Sequence, residues 1–264
     1  TCNSTVTVQD NVAPVALCKN ITIQLSSSGS ATIVAADIDN GSNDACGVAL
    51  LSASKTSFNC SNVGANTVML TVTDNNGNTS TCNSTVTVQD NVAPVAVCKN
   101  ITVQLNSSGT ASITASQVDD GSADACGITM SVSPSSFTCA NVGSNTVVLT
   151  VTDSNGNTAT CSSTVTVQDN VAPVATCKNI TIQLDATGNA SIVAGDINNG
   201  SSDACGIALL SASKTSFNCS NVGANTVTLT VTDNNGNTST CNSTVTVQDN
   251  VAPVALCKNI TIQL

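Results

Sequence analysis

The string "TVTVQDNVAP" begins at Thr5, Thr85, Thr164 and Thr244, so the chain of 264 residues returns to the same line every 80, 79 and 80 positions. Self-similarity at a fixed period defines the organisation before any single residue is considered. Residues 11–90, 91–169 and 170–249 form three units, with the end of a preceding unit at 1–10 and the start of a following one at 250–264. The first 25 residues recur as the last 25, and both ends fall inside a unit. The expected chain is therefore a window on a longer array.

Comparison of the three copies separates fixed from variable positions. In "NTVMLTVTD", "NTVVLTVTD" and "NTVTLTVTD" the alternate apolar residues never change: Val68, Leu70 and Val72, then Val147, Leu149 and Val151, then Val227, Leu229 and Val231. The position between the first two is Met69, Val148 or Thr228, as a water-facing site would be. Period two with one invariant face is the pattern of a half-buried strand. "NITIQL" places Ile21, Ile23 and Leu25 inward, "SATIVAADI" places Ala31, Ile33, Ala35 and Ile38 inward, and "NSTVTVQD" does the same with Val86 and Val88. "DNNGN" at 74–78 puts Asn-Gly between two alternating runs, a hairpin signal, and "SSSG" at 26–29 serves a second turn. No segment has a helical period. Six or seven short strands in about 80 residues predict an all-β chain of tandem immunoglobulin-like antiparallel β-sandwiches. The last strand of one unit runs through "VQDNVAP" into the next with almost no linker, which favours a rod of units set end to end.

The chain holds no His, Arg, Glu, Trp or Tyr, and its three aromatics are Phe58, Phe137 and Phe217. One Phe in an 80-residue unit gives a thin core, and four cysteines per unit are the expected remedy. Regularly spaced Cys without His, and without a C-x-x-C pair, read as disulfides of an oxidising, extracytoplasmic setting rather than as zinc ligands. Four cysteines allow three pairings. A sandwich sets its first and last strands side by side, which favours Cys18–Cys82 and leaves Cys46–Cys60 to close a short loop. The same assignment gives Cys98–Cys161 with Cys126–Cys139, and Cys177–Cys241 with Cys205–Cys219. Cys2 and Cys257 then have no partner within the window. A bridge across a junction, such as Cys82–Cys98, is the alternative.

An ordered set of motifs resembles the hyalin repeat (HYR) family of immunoglobulin-like extracellular modules. It comprises "D-x-x-A-P-x-x-x-C" at Asp10–Cys18, "D-A-C-G" at Asp44–Gly47, "F-x-C-x-N-V-G" at Phe58–Gly64, "L-T-V-T-D-x-x-G-N" at Leu70–Asn78 and "C-x-x-x-V-T-V" at Cys82–Val88. The set covers the chain three times over. The Asn/Thr/Val-rich, Arg-free composition is further similar to giant repetitive surface adhesins of Bacteroidetes, in particular gliding-motility adhesins of the SprB type exported by the type IX system. That resemblance implies cell-surface localisation, cell adhesion and a filament.

Function classes narrow accordingly. A net charge of −10 with six Lys argues against nucleic acid, whose binding needs basic side chains. No apolar run has the ~18–20 residues of a membrane span. Without His or Glu, acid–base catalysis would fall to Asp, Lys or Cys, and the repeated Lys19, Lys99, Lys178 and Lys258 sit in "CKN" as solvated surface amines. No enzyme is expected. Calcium is the one cofactor the residues raise: Asp10, Asp44 and Asp74, with their copies Asp90, Asp124 and Asp153, then Asp169, Asp203 and Asp233, persist in loops that a sandwich could gather at one end. Capping of their own turns is the competing role for these Asp residues. The expected function is the structural stalk of an extracellular filament or giant adhesin, presenting a distal tip to surfaces or polysaccharide. Its partners would be further repeats and other copies in a fibre. Direct glycan binding by the repeats is the alternative, although glycan pockets usually display Trp or Tyr.

Overall fold

Invariant valines and leucines alternating with threonine produce long two-faced strands, and the computed structural model, which describes residues 1–263, is built around them. In residues 11–90 the strands are β1 (Ile21–Gln24), β2 (Ser30–Thr32), β3 (Val48–Ala53), β4 (Ser57–Asn59), β5 (Gly64–Asp74) and β6 (Thr79–Gln89). One sheet has the order β1-β6-β5-β3, and β2 pairs with β4 in a second. Three strands β3, β5 and β6 in one sheet with β2 and β4 in the other is the strand partition of the immunoglobulin fold. The inward residues meet as one core of Leu25, Ile33, Ile38, Phe58, Val68, Leu70, Val72, Val86 and Val88, while Met69 on the other face is 42% exposed.

Two expectations need correction. The sandwich is not wholly antiparallel: β1 runs parallel to β6, with Ile21 opposite Val86 and Gln24 opposite Gln89. The chain enters and leaves the same edge of the sandwich in one direction, so its first and last strands cannot oppose each other. The "SATIVAADI" strand also stops early, at Thr32. The Asp37 carboxylate accepts the Val34 amide at 2.7 Å and closes a single helical turn, Ala35–Asp37, which still delivers Ile38 to the core.

The described chain divides into two compact units. The first comprises Thr1–Lys99 with Thr114–Ser133 and Val147–Ser163; the second comprises Asn100–Ile113, Pro134–Thr146 and the chain from Thr164 onward. The first thus contains the whole sandwich of residues 11–90. In its remainder Val148–Asp153 pairs antiparallel with Ile128–Ser133. The second contains the sandwich of residues 170–249, whose strands Ile180–Gln183, Asn189–Ser191, Ile207–Ala212, Ser216–Asn218, Gly223–Asp233 and Thr238–Gln248 repeat the pairings of β1–β6. It also holds Ile101–Gln104, paired in parallel with Val165–Gln168. Residues 1–14 and 250–263 carry no strand; Leu264, part of the expected following unit, lies outside the described residues.

Candidate functional site: the junctions and their disulfides

The hairpin after β5 organises one end of the sandwich. Both oxygens of Asp74 cap the turn: Oδ1 accepts the amides of Asn76 and Asn78 at 2.8 Å, and Oδ2 accepts Asn78 Nδ2 at 2.7 Å. Burial pushes this carboxyl up, but the hydrogen bonds from Asn78, Asn76 and Gly77 outweigh it and hold Asp74 below the ordinary carboxylate range; Asp153 behaves likewise. Asn78 Nδ2 also donates to the Asp10 carbonyl, as Asn157 does to Asp90 and Asn237 to Asp169. The neighbouring turn residue fixes the D-A-C-G loop, with Asn75 Nδ2 donating to the Cys46 carbonyl at 2.6 Å. Ser154 and Asn234 hold the Cys126 and Cys205 carbonyls in the same way. Asp10, Asp44 and the hairpin thus converge at one end of the repeat. The Asp74, Asp153 and Asp233 carboxylates are taken up by their own turns.

Cys18 bonds Cys82, Cys98 bonds Cys161 and Cys177 bonds Cys241, spanning 64, 63 and 64 positions. The expected short-loop pairs Cys46–Cys60, Cys126–Cys139 and Cys205–Cys219 do not form. Cys60 bonds Cys126 of the following repeat, and Cys139 bonds Cys205. Cys46 and Cys219 are free and exposed, as are Cys2 and Cys257. Strand β5 explains the correction. Cys60 opens the helical turn Cys60–Asn62 that leads into its first residue, Gly64, and Cys46 lies in the loop gripped by the hairpin that follows its last. Ten strand steps measure about 33 Å, against the ~7 Å limit between bridged Cα atoms. The Cys82–Cys98 alternative is excluded because both residues are already bonded.

Each inter-repeat bridge lies within one of the two compact units and is built around a glycine. Gly29 has φ +71°, and a Cβ there would meet both Cys60 Sγ and Ala125 Cβ at 2.8 Å. Gly109 has the same φ, and its Cβ would meet Cys139 Sγ at 2.6 Å and Ala204 Cβ at 3.2 Å. Glycine is required there both for the left-handed turn and for the approach of the next repeat's Ala-Cys. Cys126 also packs against the core of residues 11–90. A 66-position closure is worth about 4 kcal/mol on the chain-entropy account, more than the about 3 kcal/mol of a loop of roughly 15 residues.

Cysteine spacing does not reveal these bridges, because the deletion that alters the unformed short-loop pairs also shortens the Cys98–Cys161 bridge to 63 positions. The one-residue deletion of the second repeat shortens Cys126–Cys139 to 13 positions, against 14 for Cys46–Cys60 and Cys205–Cys219. Cys60–Cys126 and Cys139–Cys205 both stay at 66, because the deletion lies outside each.

The fold and its bridges define a tandem array of immunoglobulin-like sandwiches in which consecutive repeats are covalently stapled. The chain is 32% identical over 227 residues to Hyalin of Strongylocentrotus purpuratus, covering 81% of this chain and 19% of that protein, and the likeness supports a hyalin-repeat-like array. The chain thus spans about a fifth of that relative. No family model matches. Among solved structures, a three-immunoglobulin-domain segment of titin is 10% identical over 90% of this chain and 99% of that one, with a TM-score of 0.39. Extracellular cadherin domains 1–4 of protocadherin gamma B7 are 13% identical over 88% and 75%, with a TM-score of 0.34. Both scores are too low to bear on function. No helix among the described residues is long and apolar enough to cross a membrane.

Proposed function

We propose that this chain is a stretch of the non-enzymatic stalk of an extracellular filament or giant cell-surface adhesin. In this reading residues 11–90, 91–169 and 170–249 are its structural units, and the filament they belong to presents a distal adhesive tip to surfaces or polysaccharide. Its partners are further repeats of the same chain and other copies in a fibre. The setting implied by the sequence resemblance is a Bacteroidetes gliding filament exported by the type IX system. One observation carries the reading: bridges Cys60–Cys126 and Cys139–Cys205 join consecutive repeats a second time, beside the backbone. A link of that kind is of use to a molecule that must keep its repeats in fixed succession. The disulfides favour an extracellular location, and the similarity to Hyalin agrees with it. The test is to pass the oxidised chain over immobilised polysaccharides. A stalk segment leaves them bare; retention on a polysaccharide would transfer the adhesive role to the repeats themselves.

A further inference from the structure

The junction carboxylates, unlike those of the hairpins, are not all used by their turns. Asp90 is 7% exposed; its Oδ1 accepts the Val92 amide at 3.1 Å, and its Oδ2 is buried with no hydrogen-bond partner. Asp169 repeats this in the second compact unit: 7% exposed, Oδ1 on the Val171 amide at 3.1 Å, and Oδ2 buried and unpartnered. The ligating atoms of Asp90, Asp124 and Cys126 lie within 4.8 Å of one another, and so do those of Asp169, Asp203 and Cys205. In both clusters the sulfur is committed to a disulfide, with Cys60 or with Cys139. What remains is a pair of carboxylates facing each other beside a neutral bridge. The oxygen shielded from water belongs to the residue that ends one repeat, and its neighbour to the D-A-C-G loop of the next.

An anionic oxygen removed from water without a donor is costly, and a second carboxylate alongside adds repulsion. A cation between them removes both penalties. The available donors are hard carboxylate oxygens, the sulfur being oxidised, which selects calcium or magnesium over zinc or copper. Asp124 Oδ1 already accepts the Cys126 amide at 2.7 Å, so each carboxylate has about one oxygen to give and water completes the shell. Calcium tolerates irregular geometry where magnesium demands a near-ideal octahedron, and weak calcium sites of extracellular modules have a Kd on the order of 10⁻⁴–10⁻³ M.

We propose that Asp90 with Asp124, and Asp169 with Asp203, each hold a calcium ion at the boundary between consecutive repeats. The same pairing occurs at Asp10 and Asp44, where Cys46 is a free thiol and Asp10 is only half-buried. The two sites with buried orphan oxygens are the stronger ones.

The test uses the full oxidised chain, freed of metal, with calorimetry and thermal unfolding as readouts. Calcium chloride at ~10 mM, above the weak end of that range, should raise the unfolding temperature by at least about 3 °C. Sodium chloride of equal ionic strength should not. The double variant Asp90→Asn with Asp169→Asn should lose most of the rise, while unfolding without calcium at or above the wild-type temperature, since a buried charge has been removed. Asp124→Asn with Asp203→Asn, at less buried positions, should lose the same response. The proposal is overturned if the variants keep the full calcium effect, or if sodium reproduces it. It is also overturned if calcium leaves the unfolding temperature of the wild type unchanged.

Discussion

At the residue scale, two kinds of small side chain decide the structure: the turn-capping aspartates and the glycines under the bridges. Hydrogen bonds hold Asp74 and Asp153 below the usual carboxylate range. A depressed folded value means that their contribution is fully present above the ordinary pKa of ~3.9 and is lost as pH falls through the folded value. Thermal unfolding followed from pH 7 down to strong acid should therefore be flat until about pH 4 and then fall, and Asp74→Asn should make the fall shallower. The bridge glycine gives a sharper outcome. Gly109→Ala imposes a left-handed alanine, costing about 1–3 kcal/mol, and drives a Cβ into Cys139 Sγ. Two additional thiols should titrate in that variant under native conditions. An unchanged thiol count would mean that the bridge does not depend on the glycine. The invariance of Val68, Leu70 and Val72 made the core legible in advance. The roles of Gly29 and Gly109 were not, because a turn glycine looks the same whether or not a neighbouring repeat rests on it.

At the element scale, strands β5 and β6, with 11 residues each, could be read directly, because long alternation leaves one register that buries Val and Leu. The short strand β2 was overestimated because Ala35 and Ile38 continue an apolar pattern after the backbone has turned into a helix held by Asp37. The parallel direction of β1 was not legible either, since alternation along a strand carries no sign. Leu229, fully buried in the core of residues 170–249, supplies the energetic check. Leu229→Ala should cost ~3–5 kcal/mol, seen in denaturation as a lowered midpoint for that sandwich, whereas Met69→Ala on the exposed face should stay within about 0.5 kcal/mol.

At the scale of the whole molecule, repetition both revealed the architecture and hid the bridges. Cys46 and Cys126 occupy the same place in successive copies, so a motif cannot tell which of them Cys60 meets. Only the 11-residue length of β5 decides it, and that is a property of three dimensions. The exposed Cys219 corresponds to Cys60 and Cys139, and the exposed Cys46 to Cys126 and Cys205. Each is one half of the same staple. In a buffer containing oxidised glutathione, which accepts the two electrons and the two thiol protons, separate copies should join through Cys219–Cys46 and form a ladder on non-reducing gels. With the other exposed thiols removed by Cys2→Ser and Cys257→Ser, Cys219→Ser should abolish the ladder; its persistence would show that the socket is not selective.

The bridges also govern how far such an array yields when it is pulled. A load entering at Cys18 crosses at once to Cys82, follows the backbone to Cys98 and crosses again to Cys161. Only 16 positions per repeat, from 82 to 98 and from 161 to 177, lie on that route. A fully unravelled repeat could thus lengthen to about 55 Å along the loaded path, where roughly 80 unbridged residues would reach about 270 Å. Oxidised, the array can pay out only about a fifth of the length that the same sequence releases once reduced.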